Sequence, residues 1–206
     1  MKSKICIIRH GITEGNKRRL YYGHSDIPLA AEGVAELKKQ ASEGLYIDSE
    51  NASYFTTDLL RTQQTFELIY GDKPYEVFPA FKEVHFGDFE MLSYEDLKDR
   101  EDYQKWITGD MLHDGPPGGE SQMEFYTRVT EGFEEFLKMH LQKVLAMRHQ
   151  DEEALSVVVC HGGTISVIME YLYPGQKEHF YHWIPDPGHG YVLTLEDSTI
   201  VSADKF

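Results

Sequence analysis

Two short stretches constrain this chain more than any others. Ile5-Cys6-Ile7-Ile8 is an apolar, β-branched run that breaks into Arg9-His10-Gly11, and Leu155-Ser156-Val157-Val158-Val159-Cys160 breaks in the same way into His161-Gly162-Gly163. Runs this short and this apolar read as strands buried on both faces, the signature of a parallel sheet covered by helices. Open α/β sheets place ligand sites where strands end in polar residues. Two histidines are therefore expected to leave two core strands at the same sheet edge.

The remaining pattern alternates helix and strand. Helices are expected over residues 30–42, closed by Gly44, and over residues 57–70, with Thr57 and Asp58 offering N-cap chemistry. In the second of these, Leu59, Thr62, Phe66 and Ile69 share one side, and Arg61 in the first turn opposes the helix dipole. Strands are expected over residues 52–55 and 75–78. Ser93 with Asp96 and Ser121 with Glu124 have capping-box spacing. The first pair opens a helix reaching about residue 106. The second opens a long amphipathic helix with Phe125, Val129, Phe133, Phe136, Leu137, His140 and Val144 on one face. A further helix follows Gly163, and residues 191–201 read as a hairpin. The fold class is α/β, a three-layer α/β/α arrangement around a mostly parallel central sheet.

With 206 residues, 41% hydrophobic and 27% charged, the chain is long enough for one well-formed core. No apolar stretch spans a bilayer, and residues 4–8 are too brief for a signal-peptide core, so a cytoplasmic location is expected. The formal charge of −15 argues against nucleic acid and anionic membranes as partners. It leaves room for a small anion, which feels the local field of a pocket. Cys6 and Cys160 fall inside predicted core strands and read as buried thiols. A homodimer is compatible with the sequence, which says nothing further about assembly.

Two histidines joined by Arg9 and Arg61 make a compact, donor-rich site. Arginine offers a planar fork for phosphate or carboxylate oxygens, and imidazole is either a neutral nucleophile or a charged donor. Gly11, Gly162 and Gly163 allow close backbone approach. Glu83 can supply the missing acid and base. His24, His85, His113, His182 and His189 read as surface or loop residues near the mouth.

Arg9-His10-Gly11 followed by Thr13 and Asn16 resembles the signature of the histidine phosphatase superfamily, in its phosphoglycerate mutase-like branch. The resemblance continues through Gly23 to Leu29, Thr57-Asp58-Leu59-Leu60-Arg61 with Thr65, Glu83 with Phe86-Gly87 and Glu90, Pro117-Gly118-Gly119-Glu120-Ser121, and His161-Gly162-Gly163. It covers nearly the whole chain in the family's order. It implies a phosphoglycerate mutase-like fold as a single domain over 1–206, with an insertion around 85–120 capping the site. It implies a metal-independent phosphatase acting on a small phosphorylated metabolite, without cofactor. His10 would take the phosphoryl group, and Glu83 would be proton donor and acceptor. Arg9, Arg61 and His161 would hold the oxygens, and Asn16, Tyr22, Gly23 and Gly162 would complete the binding site. Two positions depart from the family. Met91 stands where glycine is common, and His24 where the small phosphatases often carry arginine.

Three other readings compete. A cofactor-dependent phosphoglycerate mutase shares the first step but needs extra basic residues, whereas residues 202–206 offer only Lys205; the α-ribazole phosphatase group is the better likeness. A metal site is suggested by ten histidines, yet only His179 and His182 are suitably spaced. A non-catalytic phosphate-binding module would not need His10, Glu83 and His161 together.

Overall fold

The computed structural model describes residues 1–149 and 153–206. In chain order the elements are β1 (Lys2–Arg9), α1 (Glu14–Arg18), β2 (Leu20–Tyr21), α2 (Ala31–Ser42), β3 (Ser53–Thr56), α3 (Leu60–Tyr70) and β4 (Glu76–Val77), then β5 (Leu92–Ser93), α4 (Tyr94–Leu97), α5 (Glu101–Thr108), α6 (Gln122–Ala146), β6 (Ala154–Cys160), α7 (Gly162–Leu172), β7 (Gly190–Glu196) and β8 (Thr199–Lys205). The main sheet has the order β4-β3-β6-β1-β7-β8. Its first four strands are parallel, and β7 joins β1 antiparallel, with β8 returning beside it.

Period-2 alternation in β1 and β6 divides the core. Ile5, Ile7, Val158 and Cys160 face a layer built by Phe125, Val129, Phe133 and Phe136 of α6 and Ile165, Ile168 and Met169 of α7. Cys6, Ile8, Leu155, Val157 and Val159 face the other side, where Phe66 and Tyr70 of α3 cover them. Truncating one of the buried phenylalanines to alanine costs about 3–5 kcal/mol. Both cysteines are buried and free. His140 ties α6 to the sheet, its Nδ1 2.9 Å from Ser156 Oγ and its Nε2 2.9 Å from Ser3 Oγ.

Both predicted capping boxes form, Ser93 with Asp96 and Ser121 with Glu124, and a third closes around Thr13 and Asn16. Two expectations need correction. Helix α3 begins at Leu60 behind an uncapped Leu59, and its first amide donates to Asp26 Oδ1 at 2.6 Å. Thr57 and Asp58 are drawn elsewhere, Asp58 to Lys82 at 2.8 Å and Thr57 into the site. The single helix expected from residue 94 to 106 is two. Backbone turns extended at Arg100 (φ −83°, ψ 134°), and α5 restarts there. That break sends Tyr103 into a small apolar cluster with Phe89 and Leu97, flanked by Tyr21, Phe86 and Trp106.

The segment over 85–120 closes on itself. Glu120 N–H donates to His85 O at 2.8 Å, and His85 N–H donates to Glu120 Oε2 at 2.9 Å. Among the described residues no helix is long and apolar enough to cross a membrane.

Candidate active site

Strands β1 and β6 run side by side with Arg9 opposite Cys160, and His10 N–H donates to Cys160 O at 3.0 Å. The next side chains out are His10 and His161. Their ring centroids lie 5.2 Å apart, edge to face, and the residues are 4% and 0% exposed. His10 Nδ1 lies 2.7 Å from Gly11 O. A carbonyl only accepts, so Nδ1 carries the proton and the Nε2 lone pair is left free. Burial first, and the guanidiniums of Arg61 and Arg9 second, hold the His10 imidazole well below its ordinary pKa. It is a neutral base with a lone pair to give. His161 Nε2 meets Thr57 Oγ1 at 3.1 Å, while its Nδ1 is buried without a protein partner.

Arg61 is fully buried and Arg9 half-buried, and among the described residues neither forms an ion pair with a carboxylate. Arg61 gives Nη1 to Ser25 O at 2.9 Å and Nη2 to Gly23 O at 2.6 Å, with the Tyr22 ring 5.0 Å from its Cζ. Arg9 gives Nη1 to Pro185 O at 2.7 Å. The Nε atoms of both are buried and unpartnered. Burying a guanidinium without a counter-ion is costly, and an arriving anion offsets that cost.

Glu83 closes the set. Its Oε2 accepts the amide of Gly163 in the first turn of α7 at 2.8 Å, and its Oε1 accepts the Val84 amide at 3.0 Å. Burial pushes this carboxyl above the ordinary glutamate range, although those amides and both arginines pull the other way. A carboxyl held above its ordinary range thus stands near two cations. Gly163 is required for this contact, because a Cβ there would fall 2.3 Å from Glu83 Oε1.

Tyr22 is buried, its hydroxyl 2.7 Å from Thr13 Oγ1. Asn16 Oδ1 is committed to its capping box, accepting the Thr13 amide at 3.0 Å, so only its Nδ2 can serve a ligand. Gly23 was expected to offer backbone to the phosphate. Its amide is instead taken by Glu90 at 3.0 Å, and its carbonyl by Arg61. A Cβ on Gly23 would sit 1.6 Å from Val84 O, which is why the loop tolerates no side chain there. Gly162 packs against Arg9, its Cβ position 3.1 Å from Nε. His24 stacks on His85 with centroids 4.5 Å apart and places Nε2 3.1 Å from Glu83 O. His113 pairs with Asp110 at 2.9 Å, His182 lies by His179, and His189 by Gln40. Among the described residues no group of three or more His, Cys, Asp or Glu is placed to hold a metal ion.

Arg128 carries no sequence signal, and the sequence marks Thr57 only as a helix cap and motif residue. Arg128, on α6, donates to the carbonyls of Ala80, Lys82 and Glu83 at 2.9, 3.1 and 3.2 Å while forking onto Glu120 at 2.7 Å. It braces the backbone that carries Glu83. Thr57 links His161 to Thr62, whose Oγ1 lies 3.0 Å away.

The Met91 departure has a backbone consequence. Met91 adopts φ +62°, in the left-handed region that glycine enters freely, and the residue is 37% exposed.

The site does not stand alone among known proteins. Over 193 residues, 90% of this chain and 86% of the other, the sequence is 29% identical to the adenosylcobalamin/α-ribazole phosphatase of Escherichia coli K12. It is 30% identical over 175 residues to the 2,3-bisphosphoglycerate-dependent phosphoglycerate mutase of Xanthobacter autotrophicus, covering 80% and 78% of the two chains. The fold superposes on the α-ribazole phosphatase of Shigella flexneri with a TM-score of 0.75 and 28% identity, covering 98% and 94%. Residues 5–204 match the family model of the histidine phosphatase superfamily, branch 1. The chain belongs to the histidine phosphatase superfamily.

Proposed function

We propose that this protein is a phosphomonoesterase that hydrolyses a small phosphorylated metabolite through a phosphohistidine on His10. One observation supports this above others. A neutral imidazole with a free Nε2 lies among two guanidiniums that have no carboxylate ion pair among the described residues and a carboxyl raised above its ordinary range.

The His10 Nε2 lone pair attacks phosphorus, forming the N–P bond as the P–O ester bond opposite breaks. Arg9, Arg61 and the Nδ1 side of His161 surround the non-bridging oxygens, where positioning and electrostatics carry most of the catalysis. Glu83 gives its proton to the leaving alcohol oxygen. The resulting carboxylate then takes a proton from water as that water attacks phosphorus. The N–P bond breaks, inorganic phosphate leaves, and His10 returns neutral with Glu83 reprotonated. The positive charge comes from side chains, so turnover in excess EDTA is expected. The segment over 85–120, closed at its ends and holding its own apolar cluster, is proposed as the cap that selects the alcohol.

The phosphoglycerate mutase reading is the alternative, since named mutases are among the relatives. A panel of phosphate esters in EDTA, run beside a 2,3-bisphosphoglycerate-dependent mutase assay, separates the two. Expected are phosphate release from small esters, an acid-labile ³²P-protein adduct on rapid quench, and neither with His10→Ala. Isomerisation of 3-phosphoglycerate without phosphate release would overturn the phosphatase reading.

A further inference from the structure

The carboxylate of Glu90 is half-buried and serves no step described above. It gathers four backbone amides. Oε1 accepts from Gly23, His24 and Phe86, and Oε2 from Gly23 and Ser25, all at 3.0 Å. Three of these donors are consecutive. Successive amides turned inward form a concavity of the kind that captures anions, and here a side chain of the same chain fills it. Burial pushes the Glu90 carboxyl up, but the hydrogen bonds from this loop and Phe86 outweigh that and leave it below the ordinary range.

The His24 amide held by Glu90 shares a peptide plane with the Gly23 carbonyl and so fixes where that carbonyl points. The Ser25 carbonyl follows in the next peptide after the last amide held. These two carbonyls receive Arg61, at 2.6 and 2.9 Å. They take one hydrogen from each terminal nitrogen and leave Nε without a protein partner. The loop is packed closely here, with Gly23 against the Val84 carbonyl. Arg61 is buried beyond the reach of solvent correction, so its orientation is only as good as these two acceptors.

We propose that Glu90 is a positioning residue for phosphoryl binding: by collecting the loop amides it turns the Gly23 and Ser25 carbonyls onto Arg61 and sets the guanidinium edge that meets the anion. The proposal rests on the phosphatase reading, and deepens it by naming what orients one of its two cations. A purely structural role would tie the segment over 85–120 to the loop with no consequence for Arg61. Glu90→Gln keeps the shape but sets an amide NH₂ against a backbone N–H, removing part of the cradle.

The test is a double-mutant cycle on Glu90→Gln and Arg61→Ala, read by inorganic phosphate binding in calorimetry and by kcat/KM on an alkyl and an aryl ester. Thermal melts establish the folded fraction, and Glu90→Asp is a second variant that keeps the charge while shortening its reach. With Arg61 present, Glu90→Gln weakens phosphate binding about 30-fold, the scale of one charge-assisted hydrogen bond, and lowers kcat/KM equally for both esters. In the Arg61→Ala background the same change costs less than about 3-fold, because the group it orients is gone. Losses that add in full, or phosphate affinity unchanged in folded Glu90→Gln, overturn the proposal. Wild-type protein that binds no phosphate overturns the phosphatase reading itself.

Discussion

Replacing Gly163 with alanine probes the acid without touching any charged group. The added Cβ would lie 2.3 Å from Glu83 Oε1 and 3.0 Å from its carboxyl carbon, so the carboxylate must retreat by about 0.7 Å to reach even a 3.0 Å separation. It has little freedom to do so, since amides of Gly163 and Val84 hold both oxygens and Arg128 fixes the backbone carbonyl. Misplacing a reacting group by about 1 Å costs about 100-fold in rate. That loss falls on the proton transfer, so it depends on the leaving group. An alkyl phosphate, whose alkoxide must be protonated as it departs, loses about 100-fold in kcat. A nitrophenyl phosphate, whose phenolate leaves unaided, loses less than about 5-fold. Steady-state kinetics on the two esters, with inorganic phosphate inhibition as a check on binding, decide the matter. Equal losses on both esters would refute the role of Glu83 as general acid, whatever their size.

Three further outcomes follow from geometry and charge. Met91→Gly relieves a left-handed backbone that costs a side-chain-bearing residue about 1–2 kcal/mol, partly offset by the looser unfolded chain; urea melts should show a net gain of about 0.5–1 kcal/mol, and a loss would refute the strain argument. Burial holds His140 at about 4 against an ordinary 6.5, so the unfolded chain binds its proton first as pH falls. Its contribution is intact above pH 6.5 and is lost on the way down to about 4, at most about 3 kcal/mol; His140→Gln should flatten that part of the stability–pH curve. Finally, the proposed mechanism uses Glu83 in its protonated form, and its carboxyl sits above the glutamate range. For alkyl esters kcat/KM therefore falls as pH rises through that raised value, and in Glu83→Gln this limb should vanish from the profile.

The sequence made legible whatever its own neighbours enforce. Short, continuously apolar runs in residues 5–8 and 155–160 placed two core strands, and capping boxes at Ser93 and Ser121 form because donor and acceptor are three residues apart. The same local reasoning misplaced Thr57 and Asp58. The start of α3 is held by Asp26, 34 residues away, which frees Thr57 to reach His161 across 104 positions. Arg128 was invisible for a related reason. On a helix pattern it is one more solvated cation, and only the fold shows it lying under Glu83. Residue types announced the chemistry, while the supports that hold those residues depend on contacts no spacing encodes.

The position of β1 carries an implication for how this molecule assembles. The strand leading to His10 is made long before both its neighbours in the sheet, β6 and β7, which come from residues 154–196. An emerging chain therefore holds β1 with bare edges until β6 and β7, more than a hundred residues later, have been synthesised. Such late, long-range closure is slow and exposes an apolar strand to other chains meanwhile. The pocket has no partial form: His10 and His161 meet only when β6 docks beside β1.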